Sequence, residues 1–437
     1  MLNTDTAGPT AISTSLTKMF KAEQTDFFAD YMAYAGYGES EAPAVYHRWT
    51  CASIIGALLG RQIWLPFGPN TIYPNQYILL MGPPASRKGT AMGVGRGLLK
   101  AAGYSRFGSD KSSKERFLMD MKQFEIQDEI EDLESLTLDE PSETYVMAGE
   151  FVDFIGINNI EFANLLTNLW DNLAVYKNPK IVGKSVEVQK PTVNILGGAT
   201  AQTFALAIPA ESNGTGFLSR LLLIHGEPTG VQVAWPSGGD EMQQEIMGAR
   251  LEEIRQVVKG EVIISPTVRK LGALIYKTGI DIPVDDGRFQ HYAGRRFIHM
   301  NKLAMCIAAA DMSIEVKEIH MLKANTMLVA AERKMPQALG SFGKDPNSDV
   351  KNKILEYLSH SSVPRDGNSI YRVVTNDIKK IQDMGDILLG LKQSDKIKVI
   401  TIKGKQGYVI NHIEGKKWPN DLILPEWLTE EERSVLV

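Results

Sequence analysis

At 437 residues the chain is too long for one compact core, so two or three domains are expected. Hydrophobic residues make up 43% and charged residues 23%, which excludes a disordered chain, and a net charge of −5 excludes a global basic field for holding nucleic acid. Two cysteines, Cys51 and Cys306, exclude a disulfide framework or a cysteine metal cluster, and no stretch reaches the ~20 apolar residues that span a bilayer; a cytoplasmic chain without membrane association is expected.

Residues 1–16 are rich in Thr, Ser, Ala and Gly without apolar periodicity, and 1–24 read as a loose arm. Apolar spacing from Phe27 to Gly60 predicts helices, and the short runs 63–65 and 77–81, bounded by Gly, Pro and Asn, predict buried strands. The acidic segment 125–143 reads as a solvated helix and loop. Strands are predicted at 145–148, 182–188, 192–196 and 218–224, with helical spacing at 162–173. Strands alternating with helices imply an α/β core, residues 25–230, around a mainly parallel sheet. Residues 231–345 read as a helical lid, with long helical stretches at 239–258 and 295–335 broken only by a short strand at 262–264. From 349 to 412 the order is a helix (350–360), a loop with Pro364 and Gly367, a longer helix (375–393) and two strands (397–402, 408–410) around a Gly404-Lys405-Gln406-Gly407 turn. That order resembles a winged helix-turn-helix domain. The tail, 413–437, is unassigned.

The apolar run 77–81 leads directly into Gly82-Pro83-Pro84-Ala85-Ser86-Arg87-Lys88-Gly89-Thr90. In a P-loop, glycines let backbone N–H groups approach phosphates at a helix N-terminus, and a lysine six residues after the first glycine reaches the outer phosphates. First glycine, lysine spacing and context fit this pattern and imply bound ATP. Arg87 replaces the usual second glycine, and Gly89 stands where Ser or Thr would hold Mg2+, leaving Thr90 as the magnesium candidate. Hydrolysis also needs a carboxylate to orient water, on a strand beside the loop. Glu150, at the end of the 145–148 run, is that candidate, although Gly149 occupies the place of a metal-supporting Asp.

The order of these motifs resembles AAA+ ATPases, above all minichromosome-maintenance-type helicases and helicase-like ATPases of phages and plasmids. The likeness spans about residues 45 to 335 at the level of motifs. By that resemblance Thr200, shortly after the strand 192–196, is the polar sensor of the γ-phosphate. Arg220 in Gly216-Phe217-Leu218-Ser219-Arg220-Leu221 is the arginine reaching a neighbouring subunit's ATP, with Leu221 departing from the family's aromatic. Arg295 is the second sensing arginine at the start of a lid helix, with Arg296 as the alternative.

A candidate DNA-contacting hairpin lies between the catalytic and sensor strands, with Lys177, Lys180 and Lys184 on a Pro/Gly-punctuated stretch. Lysines there would neutralise phosphates and give salt-dependent, sequence-tolerant binding. An ordinary solvated loop is the alternative. Lys403 and Lys405, on the wing of the C-terminal domain, are further DNA candidates. The expectation is an ATP-driven, homo-oligomeric helicase or translocase of phage or plasmid replication type, by resemblance a hexamer, acting on single-stranded or forked DNA. Its rivals are a weakly hydrolysing ATP switch that loads or remodels a replication protein, and a non-enzymatic DNA-binding scaffold with a degenerate P-loop.

Overall fold

The computed structural model describes residues 26–36, 40–123, 141–178, 186–208, 216–235, 241–278, 287–340, 348–359, 363–375, 377–378, 381–393, 397–402 and 405–410. The arm, the tail, Lys180, Lys184 and Lys403 lie outside them. The chain forms two compact units that divide between Phe342 and Gly343.

The first unit opens with α1 (Phe27–Tyr34), capped by Asp26, whose carboxylate accepts from the Phe28 amide at 3.0 Å. Next come α2 (Ala44–Leu59), β1 (Ile63–Phe67), β2 (Asn70–Ile72) and β3 (Tyr77–Met81). The 82–87 loop leads into α3 (Lys88–Ala101), followed by α4 (Lys114–Gln123), β4 (Glu143–Ala148), α5 (Phe151–Ile155) and α6 (Ile160–Trp170). A hairpin of β5 (Val175–Asn178) and β6 (Val186–Gln189) precedes β7 (Thr192–Ala199), α7 (Ala201–Ala207) and β8 (Leu221–His225). Of the expected strand at 182–188, residues 186–188 belong to β6, and 182–185 lie outside the described residues. The expected strand at 218–224 starts with a 3-10 turn, Leu218–Arg220, whose close i to i+3 spacing tucks Arg220 inward before β8 begins.

The central sheet has the order β4-β7-β3-β8, and every pairing in it is parallel. β3 and β7 are buried along their whole length, which is why both read as unbroken apolar runs and not as alternating ones. β7 lies between β3 and β4. The strand leading to Glu150 is therefore one place removed from the strand that leads into the 82–87 loop. Gly197 and Gly198 make the middle position possible: a Cβ on Gly198 would sit 2.4 Å from the Gly149 carbonyl oxygen and 3.7 Å from Lys88 Cβ. A side chain at 198 would push the Glu150 turn away from the lysine.

Further along are α8 (Glu241–Val257), the short strands β9 (Gly260–Glu261) and β10 (Ile263–Ile264), α9 (Pro266–Thr278), the single turn α10 (Gln290–Ala293), α11 (Arg296–Ala310), β11 (Glu315–Val316) and α12 (Glu318–Leu339). β11 pairs in parallel with β10 and interrupts the stretch 295–335, which was expected to be all helix. α12 continues through Pro336, where that expectation ended. Proline removes a helix N–H, but the Arg288 guanidinium donates to the carbonyls of Pro336 (3.4 Å) and Gly340 (3.1 Å) and holds the last turn. Residues of 25–230 and of the expected lid share one hydrophobic core, and α12 packs on β8. Among the described residues no helix is long and apolar enough to cross a membrane.

The second unit holds α13 (Ser348–Ser359), α14 (Gly367–Val374), α15 (Ile381–Gln393) and an antiparallel pair, β12 (Ile397–Ile402) with β13 (Lys405–Ile410). Arg365 adds a bridge to Tyr408, with amide–carbonyl bonds of 3.0 and 2.8 Å. Its own core contains Val350, Ile354, Leu358, Ile370, Leu388 and Ile397. The expected loop around Gly367 is corrected to α14, whose N-cap Asp366 accepts from the Ser369 amide at 2.9 Å through its carboxylate, and within the helix expected at 375–393 the structure describes α15.

Candidate functional site

The carboxyl ends of the four parallel strands gather the expected site. Met81 runs into the 82–87 loop, Ala148 into Gly149 and Glu150, Ala199 into Thr200, and His225 into Gly226, with Met81 in register with both Ala199 and His225. Ligands of open α/β sheets bind in this place, outside the carboxyl ends where successive connections depart in opposite directions.

The loop is built around Tyr46, a residue without a sequence motif. Its hydroxyl donates to the carbonyls of Met81 (2.7 Å) and Gly226 (3.0 Å), tying the ends of β3 and β8 together. A Cβ on Gly82 would meet that hydroxyl at 2.3 Å, so the first position of the loop accepts only glycine. Burial drives the Tyr46 pKa up to about 12, so the hydroxyl keeps the proton with which it donates.

Ala85 and Arg87 both adopt left-handed backbone, with φ of 60° and 61°. Non-glycine residues are held there at a cost of order 1–2 kcal/mol each, a strain found mainly at ligand clamps and active sites. Arg87 holds the left-handed conformation that a glycine accepts most readily, and its guanidinium is turned outward onto the Glu41 carboxylate.

Lys88 is the first residue of α3. Its ammonium folds back over the loop and donates to the carbonyls of Gly82 (3.1 Å) and Pro83 (2.9 Å) and to Ser86 Oγ (3.2 Å). It is buried, and burial lowers its pKa while the negative charge of Glu150 opposes that shift. Lysine and glutamate are thus close enough to feel each other across β7. Glu150 is the N-cap residue of α5 but its side chain makes no capping bond, and it stands exposed at the rim. Arg96, on the same helix as Lys88, donates to the Met147 carbonyl at 2.6 Å and fastens the end of β4 to α3.

Thr200 caps α7 in a reciprocal pair with Thr203, its Oγ1 accepting from the Thr203 amide at 3.0 Å. It also lines a small cavity with Gly82, Pro83, Gln202, His225 and Gln337. Gln337 comes from α12, so the helix after the sheet closes one side of the cavity. Gly89 and Gly149 each have open space where a Cβ would stand, so the usual magnesium-site side chains are missing for lack of atoms and not for lack of room. Thr90 is exposed, about 100° further round the helix than Gly89.

Arg220 and Arg295 lie elsewhere. Arg220 is 5% exposed and pairs with Asp171 of its own chain, Nη2 to Oδ2 at 2.5 Å. Arg295 reaches the other oxygen of the same carboxylate at 3.4 Å. Both guanidiniums lie over the Trp170 ring, at 5.6 and 5.4 Å from its centroid. Arg296, the alternative for the second sensing arginine, points into the core and pairs with the fully buried Glu332 at 2.6 Å. Lys177 is exposed on β5 and pairs with Glu187 across the hairpin at 3.2 Å. Lys405 belongs to β13.

Tyr46, Arg96, Trp170, Asp171 and the Gly197-Gly198 pair complete the arrangement without having been predicted. Only the paired glycines inside a strand carried a readable signal, since a strand interior admits them mainly where another backbone comes close. No protein-family model matches this chain, and no curated protein matches it.

Proposed function

We propose that this protein is a P-loop ATPase whose nucleotide phosphates lie on the 82–90 loop, working as an ATP-driven, ring-forming helicase or translocase on DNA. The observation that carries the reading is the strand–loop–helix junction at the end of β3. A lysine at the right spacing curls over a loop with two strained left-handed residues, at the start of a helix whose first N–H groups point outward. The Lys88 ammonium has only neutral oxygens as acceptors, which phosphate oxygens would replace. Magnesium carried on the phosphates would neutralise their charge. From the chain it would draw on Thr90, because Gly89 and Gly149 offer no oxygen side chains.

The motor part of the proposal rests on the second unit, whose three helices and β12–β13 pair have the order of a winged helix, on Lys177 of the β5–β6 hairpin, and on the sequence pattern that adds Lys180 and Lys184. A second reading, a slowly hydrolysing ATP switch acting on another replication protein, is favoured by Gly89 and Gly149. Stimulation of ATP turnover by single-stranded DNA separates the two.

Lys88→Ala tests the nucleotide site. The variant is expected to lose ATP affinity by about a hundredfold or more, since hydrogen bonds to charged phosphates are roughly twice as strong as neutral ones and several are lost together. Equilibrium dialysis with labelled ATP measures it, and parental affinity in Lys88→Ala would remove the loop from the site.

A further inference from the structure

Trp170 ends α6, and three cations surround its ring: Arg220, Arg295 and Lys302, whose ammonium lies 4.3 Å from the centroid. His299 also packs against Trp170, its ring tilted by 58° with centroids 5.4 Å apart, and its Nε2 lies 3.0 Å from the Ser219 carbonyl oxygen. Lys302 is fully buried, donates to Asn75 Oδ1 at 2.5 Å, and has a pKa pushed down to about 7, first by burial. Among the described residues, the carboxylate that pairs with Arg220 and Arg295 is Asp171.

The placing of Asp171 is unusual in three respects. Its two oxygens divide between Arg220 and Arg295, the arrangement by which a phosphate engages a pair of guanidiniums. Its side chain is 43% exposed whereas that of Arg220 is 6% exposed, so the carboxylate closes the outward side of a buried fork. It is also the C-cap of α6, the helix end at which a negative charge is least favoured. Behind it, Arg220 Nε and Trp170 Nε1 are buried donors without an acceptor, so the cluster is not satisfied with Asp171 in place. Asn172, the next residue, is left-handed (φ 54°), which turns the chain sharply at the point where Asp171 would swing away.

We infer that Asp171 is a built-in competitor: it occupies the Arg220–Arg295 fork in place of a phosphate oxyanion, and a phosphate-bearing ligand engages the fork only when Asp171 leaves it. The inference deepens the ATPase reading, in which Arg220 and Arg295 serve ATP, by making their availability conditional. In the resting chain both arginines are latched.

Pyrophosphate is the probe, titrated calorimetrically into Lys88→Ala protein so that binding at the 82–90 loop is weakened about a hundredfold or more. Adding Asp171→Asn keeps the shape and removes the competing charge, and is expected to tighten pyrophosphate binding about tenfold. Adding Arg295→Gln instead, at a partly exposed position, is expected to weaken it about tenfold or more. A second arm follows ATP-dependent self-association by sedimentation, comparing Asp171→Asn with the parent, both with Lys88 intact. If the phosphate is free in solution, pyrophosphate binds without association. If it belongs to a nucleotide on a second copy, Asp171→Asn associates with ATP at lower protein concentration than the parent. Either result supports the latch. Unchanged pyrophosphate binding together with unchanged association overturns it, as does full pyrophosphate binding by the Arg295→Gln protein. Should Asp171→Asn fail to fold, the Arg295→Gln titration alone decides. Failure of the 82–90 loop to bind ATP would leave the pyrophosphate arm standing, since that arm is run without Lys88.

Discussion

Glu150→Gln is expected to bind ATP as the parent does and to turn it over about a hundredfold more slowly or worse, the usual range for loss of a positioned general base. The carboxylate stands free of structural duty: it begins α5 without capping it, is exposed, and its charge reaches the Lys88 ammonium across β7. Glutamine preserves the shape and removes the charge that would orient and deprotonate water. Stability should therefore change by less than about 0.5 kcal/mol, as for surface substitutions in general. Single-turnover hydrolysis at saturating ATP, with a denaturant midpoint beside it, checks both halves. Loss of fold together with activity would make Glu150 a structural residue.

The largest stability effect is expected at Glu332, deep in the packing of α11 against α12. One carboxylate oxygen accepts from Arg296 Nε at 2.6 Å and from the Tyr292 hydroxyl at 3.0 Å, while Arg296 Nη2 donates to Asn325 Oδ1 at 2.9 Å. Both charged side chains are essentially removed from water. Glu332→Ala strands the guanidinium without a countercharge and should cost about 3–5 kcal/mol. The double substitution Arg296→Met with Glu332→Leu should recover most of that loss, because a well-packed apolar pair often matches a buried ion pair in stability. Urea unfolding of parent, single and double variants decides. A double variant as unstable as Glu332→Ala would mean that the shape of the pair, and not its charge, holds the two helices.

Local features of this fold are written in local sequence. The apolar run of β3, the glycine at 82, the lysine six residues on and the helix behind it all follow from short-range chemistry. The ends of β4 and β7 are equally legible, which is why Glu150 and Thr200 fall at the same edge of the sheet as the loop. Strand order is not local. The insertion of β7 between β3 and β4 depends on Gly197 and Gly198 admitting the Glu150 turn, a contact between segments far apart in sequence. The two arginines show the same limit: Asp171 is 49 residues from Arg220 and 124 from Arg295, and nothing beside either arginine announces that shared carboxylate. α14 escaped notice because Gly367-Asn368 reads as a turn and Ile370, Tyr371, Val373 and Val374 favour strands, whereas packing of Ile370 and Val374 into the second core makes the segment a helix. Lys180, Lys184 and Lys403 fall outside the described residues, so the DNA contacts rest on the sequence pattern.

Hydrogen exchange of the full-length protein, with and without Mg–ATP, tests the nucleotide site most directly. A phosphate cradled by the loop takes up backbone N–H groups at the start of α3, so amides of residues 85–90 should exchange more slowly with ATP present and return to the unliganded rate in Lys88→Ala. Unchanged exchange across 85–90 at an ATP concentration that saturates binding would contradict the account, because the nucleotide would then lie away from the loop.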